Sequence, residues 1–231
     1  MQLVWLYKAI GLTLAGALTA STYWSLLRPW YLHWGSTDID LDRCLSGDDL
    51  ISQPYTQSTR AVTIQASAKE IWPWIVQIGQ DRGGFYSYDW LENLMGLDIH
   101  SADRIRPEFQ HLQVGDLVRF APDGGPGMLV ATIEPEYVLV LRAMDPRTHQ
   151  PIDRTAAVYW DFTWSFMLQP YNDHTTHVIL RGRGDGYPHS VAALGLLLEP
   201  IQFVMERKML LGLKQRVEQA GRTWLGNICR W

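Results

Sequence analysis

The densest group of polar side chains that could do chemistry lies in one short stretch of the chain, from Asp81 to Arg104. Only 19% of all residues are charged, so this concentration needs a reason. Its members are Asp81, Arg82, Tyr86, Tyr88, Asp89, Trp90, Glu92, Asn93, His100, Asp103 and Arg104. One interpretation is a cavity mouth where Arg82 meets a carboxylate or phosphate and the hydroxyls of Tyr86 and Tyr88 orient it. The other, which we favour, is that Asp89 and its charged neighbours cap and brace an irregular segment.

The same stretch offers acid–base groups and an incomplete set of metal ligands. Tyr86, Asp89 and His100 are the side chains that could move protons on a bound substrate. His100 and Asp103 could offer two metal ligands, and two later histidines could add more, but such a pair does not define a metal site. No GxSxG sequence, phosphate loop or dinucleotide fingerprint is found. We therefore predict neither a metal nor a cofactor.

A strand predicted over Val158–Gln169 carries an aromatic face. Alternation places five of its apolar residues on one side, and these are Trp160, Phe162, Trp164, Phe166 and Leu168. Such a face is either the wall of a ligand cavity or part of an ordinary packed core. Met205 and Met209, on the last predicted helix, fit both interpretations. Arg181 on another strand would bind an anionic ligand if it points inward, and the strand pattern does not decide its direction.

The elements that position these residues follow an α+β order. Thr59–Ala66 alternates as a strand, and Ser67 then begins a helix with a capping box that ends before Gly79. Tyr88–Met95 is predicted as a short second helix. Five further strands are predicted at Asp116–Ala121, Met128–Glu134, Tyr137–Ala143, Val158–Gln169 and Thr175–Arg183. Leu196–Ala220 is the longest helix, and a curved antiparallel sheet around it is the natural arrangement.

This order resembles the SRPBCC superfamily, the START/polyketide-cyclase/birch-pollen-allergen proteins, whose fold is the helix grip. Two segments, Gly79–Ile105 and Leu197–Glu218, are similar to those of an uncharacterised, membrane-anchored branch of that superfamily. The resemblance covers about Arg28 to Ala220. It implies a hydrophobic cavity between the sheet and the long helix, which the superfamily uses for lipids, sterols, polyketides or hormones. It implies no particular reaction, because carriers, receptors and enzymes share this fold.

The N-terminal residues predict a membrane anchor. Ala9–Leu27 carries no charge, and as a helix it would span roughly 28 Å, which just crosses a bilayer core. Aromatic residues flank both ends, and Lys8 and Arg28 bracket it. A cleaved signal peptide ending near Ala20 is the alternative, but the apolar character continues past that site. These charges do not fix an orientation, and our working expectation is a single-pass membrane protein with a cytoplasmic domain.

The predicted organisation has four parts. Residues 1–34 form the anchor and an aromatic juxtamembrane segment, and residues 35–58 form a polar linker or arm. Residues 59–220 form the helix-grip domain, and residues 221–231 form a C-terminal tail. One domain with an appendage is also what 231 residues allow.

Composition narrows the function classes. A net charge of −4 provides no basic field for phosphates, so nucleic acid is excluded as a partner. The main hypothesis is a membrane-tethered binding or carrier protein for a small hydrophobic ligand, such as a lipid, an isoprenoid or a polyketide-like molecule. The alternatives are a cyclase- or dehydratase-like enzyme that uses the polar cavity mouth, and a tethered protein-interaction module. The sequence does not identify a protein partner.

Overall fold

The computed structural model describes residues 15–122 and 124–228, with side chains described as far as residue 221. Its strands are β1 (Thr56–Ile64), β2 (Leu117–Arg119), β3 (Gly127–Glu134), β4 (Val138–Asp145), β5 (Gln150–Pro151), β6 (Tyr159–Asn172) and β7 (Thr175–Tyr187). Its α-helices are α1 (15–22), α2 (Arg28–Leu32), α3 (Asp38–Asp42), α4 (Ala68–Val76), α5 (Asp89–Leu94) and α6 (His189–Ile228). All six predicted strands and both predicted short helices are present, with ends shifted by a few residues.

The strands form one antiparallel sheet in the order β1-β7-β6-β4-β3-β2, and β5 pairs with β4. The hairpin between β6 and β7 is the longest, with Trp164 opposite Gly182 and Phe166 opposite Leu180. α6 contacts β1, β7 and β6, and α4 also packs against α6 and β6. The predicted α+β arrangement, an antiparallel sheet with a long C-terminal helix, is confirmed.

Local chemistry explains where α4 begins. The Ser67 hydroxyl accepts a hydrogen bond from the backbone N–H of Glu70, and the Glu70 carboxylate accepts one from the backbone N–H of Ser67. This is the predicted capping box, and it satisfies donors that a helix start leaves unpaired. Ile71, Trp74 and Ile75 follow at helical spacing and are buried in the main core.

α6 begins at His189, seven residues before the predicted start at Leu196, so that boundary was wrong. The missed residues carry no apolar stripe, because their inward-facing positions are the small residues Ala192 and Gly195 and the large residue Leu194 is exposed. In the later turns Met209, Leu213 and Val217 are buried. The tail predicted from residue 221 continues this helix as far as Ile228.

Residues 35–58 were predicted as a linker or arm, but residues 56–58 are the first residues of β1. The rest of the arm packs on the face of the sheet opposite α6. Leu45 packs against Ala61 and Ile179, and Ile51 is also buried. Arg181 reaches from β7 into this segment and forms an ion pair with Asp48 at 2.7 Å. The segment therefore covers the outer face of the sheet.

The predicted anchor, Ala9–Leu27, begins among residues 1–14, which lie outside the described part of the chain. Its described part is helical, with α1 followed by a π-helical turn, Tyr23–Leu27, and then by α2. Within residues 15–122 and 124–228, no helix is both long enough and apolar enough to cross a bilayer.

Candidate functional site

Two adjoining cavities lie between the sheet and α6. Chamber A has a volume of about 230 Å³ and is lined by Phe85, Ser87, Glu92, Met95, Leu97, Ile99, Phe120, Trp164, Met205, Glu206 and Met209. Chamber B has a volume of about 350 Å³ and is lined by Thr56, Phe120, Trp160, Phe162, Trp164, Gly195, Leu198, Ile201, Gln202, Met205 and Glu206. Four residues, Phe120, Trp164, Met205 and Glu206, line both chambers. The combined space is mainly apolar with a few polar groups, as small-molecule sites usually are.

Aromatic rings on β6, together with Phe120 directly after β2, build the sheet side of the chambers. The Trp164 ring lies 5.7 Å from that of Phe120 and 4.9 Å from that of Phe166, both in edge-on contacts. Trp160 packs on Gly195 of α6 so closely that a Cβ there would come within 2.4 Å of its Cη2 atom. The alternation of β6 therefore directs Trp160, Phe162 and Trp164 towards α6.

A buried polar network anchors the wall that the two chambers share. The Glu206 carboxylate forms an ion pair with Arg60 of β1. Its Oε1 also accepts hydrogen bonds from Trp164 Nε1 at 3.0 Å and from Gln202 Nε2 at 2.7 Å. Arg60 donates further hydrogen bonds to the Tyr31 carbonyl and the Ser58 hydroxyl. These bonds offset part of the cost of removing both charges from water, although Nη2 of Arg60 has no hydrogen-bond partner among the described residues.

Chamber A contains a second buried carboxyl group, that of Glu92 on α5. The residue is only 5% exposed, and no described residue donates a hydrogen bond to its Oε2. Burial, with a smaller contribution from the nearby charge of Asp89, raises the pKa of Glu92 to about 7. The group can therefore hold or release a proton near neutral pH.

Among the predicted site residues, Trp160, Trp164, Met205 and Met209 line the chambers. Phe166 does not line them but packs behind Trp164 in the core, where it is 1% exposed. The aromatic face of β6 and the two methionines of α6, which the sequence analysis named, thus line the same space from opposite sides.

Arg82 and Tyr86 are not among the residues that line the chambers. Arg82 donates hydrogen bonds to the carbonyls of Val76 and Phe109, and burial lowers the pKa of its guanidinium. The Tyr86 hydroxyl donates to the Trp74 carbonyl, and burial raises the pKa of this phenol. Both side chains brace the loops around α4.

Asp89, Tyr88 and His100 are likewise occupied outside the chambers. Asp89 accepts hydrogen bonds from the backbone N–H and the hydroxyl of Ser101, at 2.7 and 2.6 Å. Tyr88 precedes α5, and its ring lies 5.7 Å from the ammonium of Lys208. His100 is exposed, and its imidazole lies 3.0 Å from a carboxylate oxygen of Asp98. For these residues the bracing interpretation fits the contacts better than a cavity mouth, whereas Glu92 of the same stretch lines chamber A.

Arg181 lies on the opposite face of the sheet from the chambers. It is buried and donates hydrogen bonds to Thr59 Oγ1 and to carbonyl groups of residues 40–43, in addition to its ion pair with Asp48. Its role is to hold the arm, so it is not positioned to meet a ligand in either chamber.

The sequence interpretation did not single out Arg60 or Glu206, and it named Glu92 only as one member of the polar stretch. A signal for the first was present, because Arg60 shares one face of β1 with the apolar residues Val62 and Ile64. The spacing of Gln202 and Glu206 also places two polar groups one turn apart on α6. The burial of Glu92 carries no such signal, since it depends on how α5 packs.

No group of three or more His, Cys, Asp or Glu side chains with the geometry of a metal site occurs among the described residues.

Comparison with known proteins gives similarity at the level of solved structures alone. No protein-family model matches the chain, and no curated protein matches it. A protein from Mesorhizobium loti is 17% identical with a TM-score of 0.41, over 71% of this chain and 98% of that one. A Polyketide_cyc-like protein from Corynebacterium glutamicum is 12% identical with a TM-score of 0.38, over 72% and 93%. Norcoclaurine synthase from Thalictrum flavum, solved with dopamine and hydroxybenzaldehyde, is 12% identical with a TM-score of 0.37, over 77% and 96%. These similarities assign neither a reaction nor a ligand to this chain.

Proposed function

We propose that this protein binds or carries a small hydrophobic ligand in chambers A and B and is tethered to a membrane by its N-terminal helical segment. The observation that carries the proposal is the pair of adjoining, mainly apolar chambers between the sheet and α6. Their volumes, about 230 and 350 Å³, together fall within the range of small-molecule sites. Apolar burial at about 25 cal/mol per Å² would supply most of the binding free energy.

An exposed apolar surface supports the membrane part of the proposal. It is formed by the N-terminal helical segment and the first half of α6, and its members are Leu18, Trp24, Leu26, Leu27, Trp30, Leu194, Leu197, Leu198, Ile201 and Val204. The two parts are joined, because Arg28 makes a two-pronged ion pair with Glu199 and the ring of Trp30 contacts Phe203. An exposed patch of ten large apolar residues, beside an uncharged helical segment, suits contact with lipid.

Chamber B and the exposed apolar surface are also continuous with each other. Leu198 and Ile201 line chamber B and are themselves more than half exposed within this apolar surface. A ligand could therefore pass between the bilayer and chamber B without crossing a polar barrier. This continuity favours a carrier or binder of membrane-derived molecules over a protein-interaction module.

Ligand binding is tested with variants at two successive positions of α6. Met205→Trp fills the wall that both chambers share, whereas Val204→Trp adds the same ring at the exposed neighbouring position. The full chain is purified in mild detergent, and its bound molecules are identified by native mass spectrometry and solvent extraction. We expect a bound apolar molecule in the wild type and in Val204→Trp, and its loss in Met205→Trp. Equal amounts in all three, or none in the wild type, would contradict the proposal.

The tether is tested by the mass of the mature chain and by extraction. We expect the intact mass of 26.5 kDa and resistance to alkaline carbonate, and we expect the double variant Gly16→Arg/Leu18→Arg to become extractable. A mature chain that begins near residue 21 would show that a signal peptide is removed instead. In a Cys229→Ser variant, labelling of the exposed Cys44 with a membrane-impermeant maleimide reports the orientation of the domain.

A further inference from the structure

Chamber A contains one carboxyl group that the fold does not neutralise. Three buried glutamates lie near the chambers, and two of them are paired, Glu206 with Arg60 and Glu199 with Arg28. Glu92 is as deeply buried as these two, yet its Oε2 has no hydrogen-bond partner among the described residues. A buried carboxyl oxygen without a partner costs free energy, so its presence in a ligand-sized cavity needs an explanation.

The packing of α5 directs Glu92 into the chamber. Asp89, one turn earlier, is held by Ser101, and Asn93 exchanges two hydrogen bonds with the backbone of Ile99. These bonds fix the helix to the following loop and leave Glu92 among the residues that line chamber A. The neighbours of Glu92 therefore hold α5 in place, and the Glu92 side chain is buried rather than exposed at the surface.

The charges around Glu92 define what would complement it. The described residues that line chamber A include no Arg, Lys or His. The other titratable side chain there is Glu206, which is already paired with Arg60, while Asp89 adds further negative charge from the same helix. The raised pKa of Glu92 reflects this burial and repulsion, both of which a positive charge in the chamber would relieve. An anionic ligand would increase the repulsion.

We propose that Glu92 is the recognition group of chamber A and that the ligand is an apolar molecule carrying an amine. This inference rests on the proposed function, because it names the chemistry of the ligand that the chambers take. The ammonium group would donate to the Glu92 carboxylate, and the hydrocarbon part would lie against Phe120, Trp164 and Met209. A hydroxyl could supply one hydrogen bond but would leave the carboxylate without a compensating charge.

The test compares three ligands of equal chain length, hexylamine, hexanol and hexanoate. Each is titrated calorimetrically into the full chain in maltoside micelles at pH 8, and the titration of empty micelles is subtracted. We expect hexylamine to bind at least tenfold more tightly than hexanol and hexanoate. Glu92→Gln should lose that preference while it still binds hexanol, and Glu92→Met provides a second variant that removes the carboxyl. Glu134→Gln, at an exposed position, should bind like the wild type.

The pH dependence supplies a further readout. At pH 5.5 Glu92 is protonated, so the wild-type preference for the amine should fall, whereas the affinity for hexanol should stay constant. If hexanol and hexylamine bind the wild type equally, or if Glu92→Gln keeps the preference, this inference is overturned and the proposed function stands. If none of the three binds, or if Met205→Trp binds them as the wild type does, both are overturned.

Discussion

Trp164 donates its indole N–H to Oε1 of Glu206 across 3.0 Å, and this bond joins the central strand of the cavity wall to the long helix. Because Glu206 also pairs with Arg60 of β1, three elements of the fold meet at one buried carboxylate. The shared wall of the two chambers is therefore positioned by a polar network. An apolar packing of the same residues would leave the Trp164 ring freer to turn.

The first prediction concerns this ion pair. Glu206→Leu leaves the guanidinium of Arg60, which is fully buried, without its partner, so we expect the variant to lose about 3–5 kcal/mol of unfolding free energy. The double variant Arg60→Met/Glu206→Leu removes both charges and should recover most of that loss. Urea-induced unfolding of the full chain, followed by tryptophan fluorescence, measures both. A double variant as unstable as the single one would show that packing, and not charge compensation, sets the cost.

The second prediction concerns the arm, residues 35–58. Arg181→Met removes the ion pair to Asp48 and the hydrogen bonds to the arm carbonyls. Asp48 keeps a second ion pair, with Arg183 at 2.9 Å, so we expect a loss of about 1–3 kcal/mol of unfolding free energy. Arg43→Met serves as the control, because Arg43 makes one exposed hydrogen bond, to Gln169, and should cost under about 0.5 kcal/mol. Limited proteolysis should cut the arm in the first variant only. Equal protection of the arm in both variants would argue against this role for Arg181.

The order of elements follows from the sequence because each signal is local. The alternation of β6 predicts a strand with Trp164 and Phe166 on one face, and Ser67 with Glu70 predicts the start of α4. Both are confirmed by the register of the sheet and by the capping box. The early start of α6 was missed because the residues that its first turns bury, Ala192 and Gly195, are too small to give an apolar stripe.

The residues that line the chambers could be predicted only in part from the sequence, for a physical reason. Trp164 and Met205 could be placed on facing elements by periodicity, which fixes the direction of a side chain relative to its own strand or helix. Whether a charged residue is buried and paired depends on partners that are distant in the chain. Glu206 pairs with Arg60 across 146 positions, and Glu92 is buried because α5 packs over the chamber. No local sequence pattern predicts the pairing of Glu206 with Arg60 or the burial of Glu92.

The third prediction concerns the close approach of α6 to the loop before α5. A Cβ at Gly212 would come within 2.2 Å of the Tyr86 carbonyl oxygen, whereas one at Gly221 would meet nothing within 4 Å. We expect Gly212→Ala to destabilise the protein by about 1–3 kcal/mol, because helix or loop must shift. Gly221→Ala should stabilise it by up to about 1 kcal/mol through helix propensity. Thermal unfolding of the two variants checks the contrast, and equal midpoints would contradict it.

The fourth prediction concerns the pH dependence that Glu92 imposes on stability. In the unfolded chain the pKa of a glutamate is about 4.3. In the folded protein the pKa of Glu92 is about 7, because the carboxyl is buried beside Asp89. Between these values the folded protein retains a proton that the unfolded chain has released. The contribution of Glu92 to stability therefore falls as the pH rises from about 4.3 to about 7, and its cost is complete above that range.

Glu92→Gln removes this dependence, because an amide does not titrate in this range. We expect the variant to match the wild type near pH 4.5 and to exceed its unfolding free energy by about 1–3 kcal/mol at pH 8. Glu134→Gln, whose side chain is exposed, should show no such divergence. Urea unfolding at half-unit pH intervals measures the difference between each variant and the wild type. A difference for Glu92→Gln that stays constant with pH would mean that the carboxyl is ionised in both states, and that the fold or a retained ligand neutralises it in chamber A.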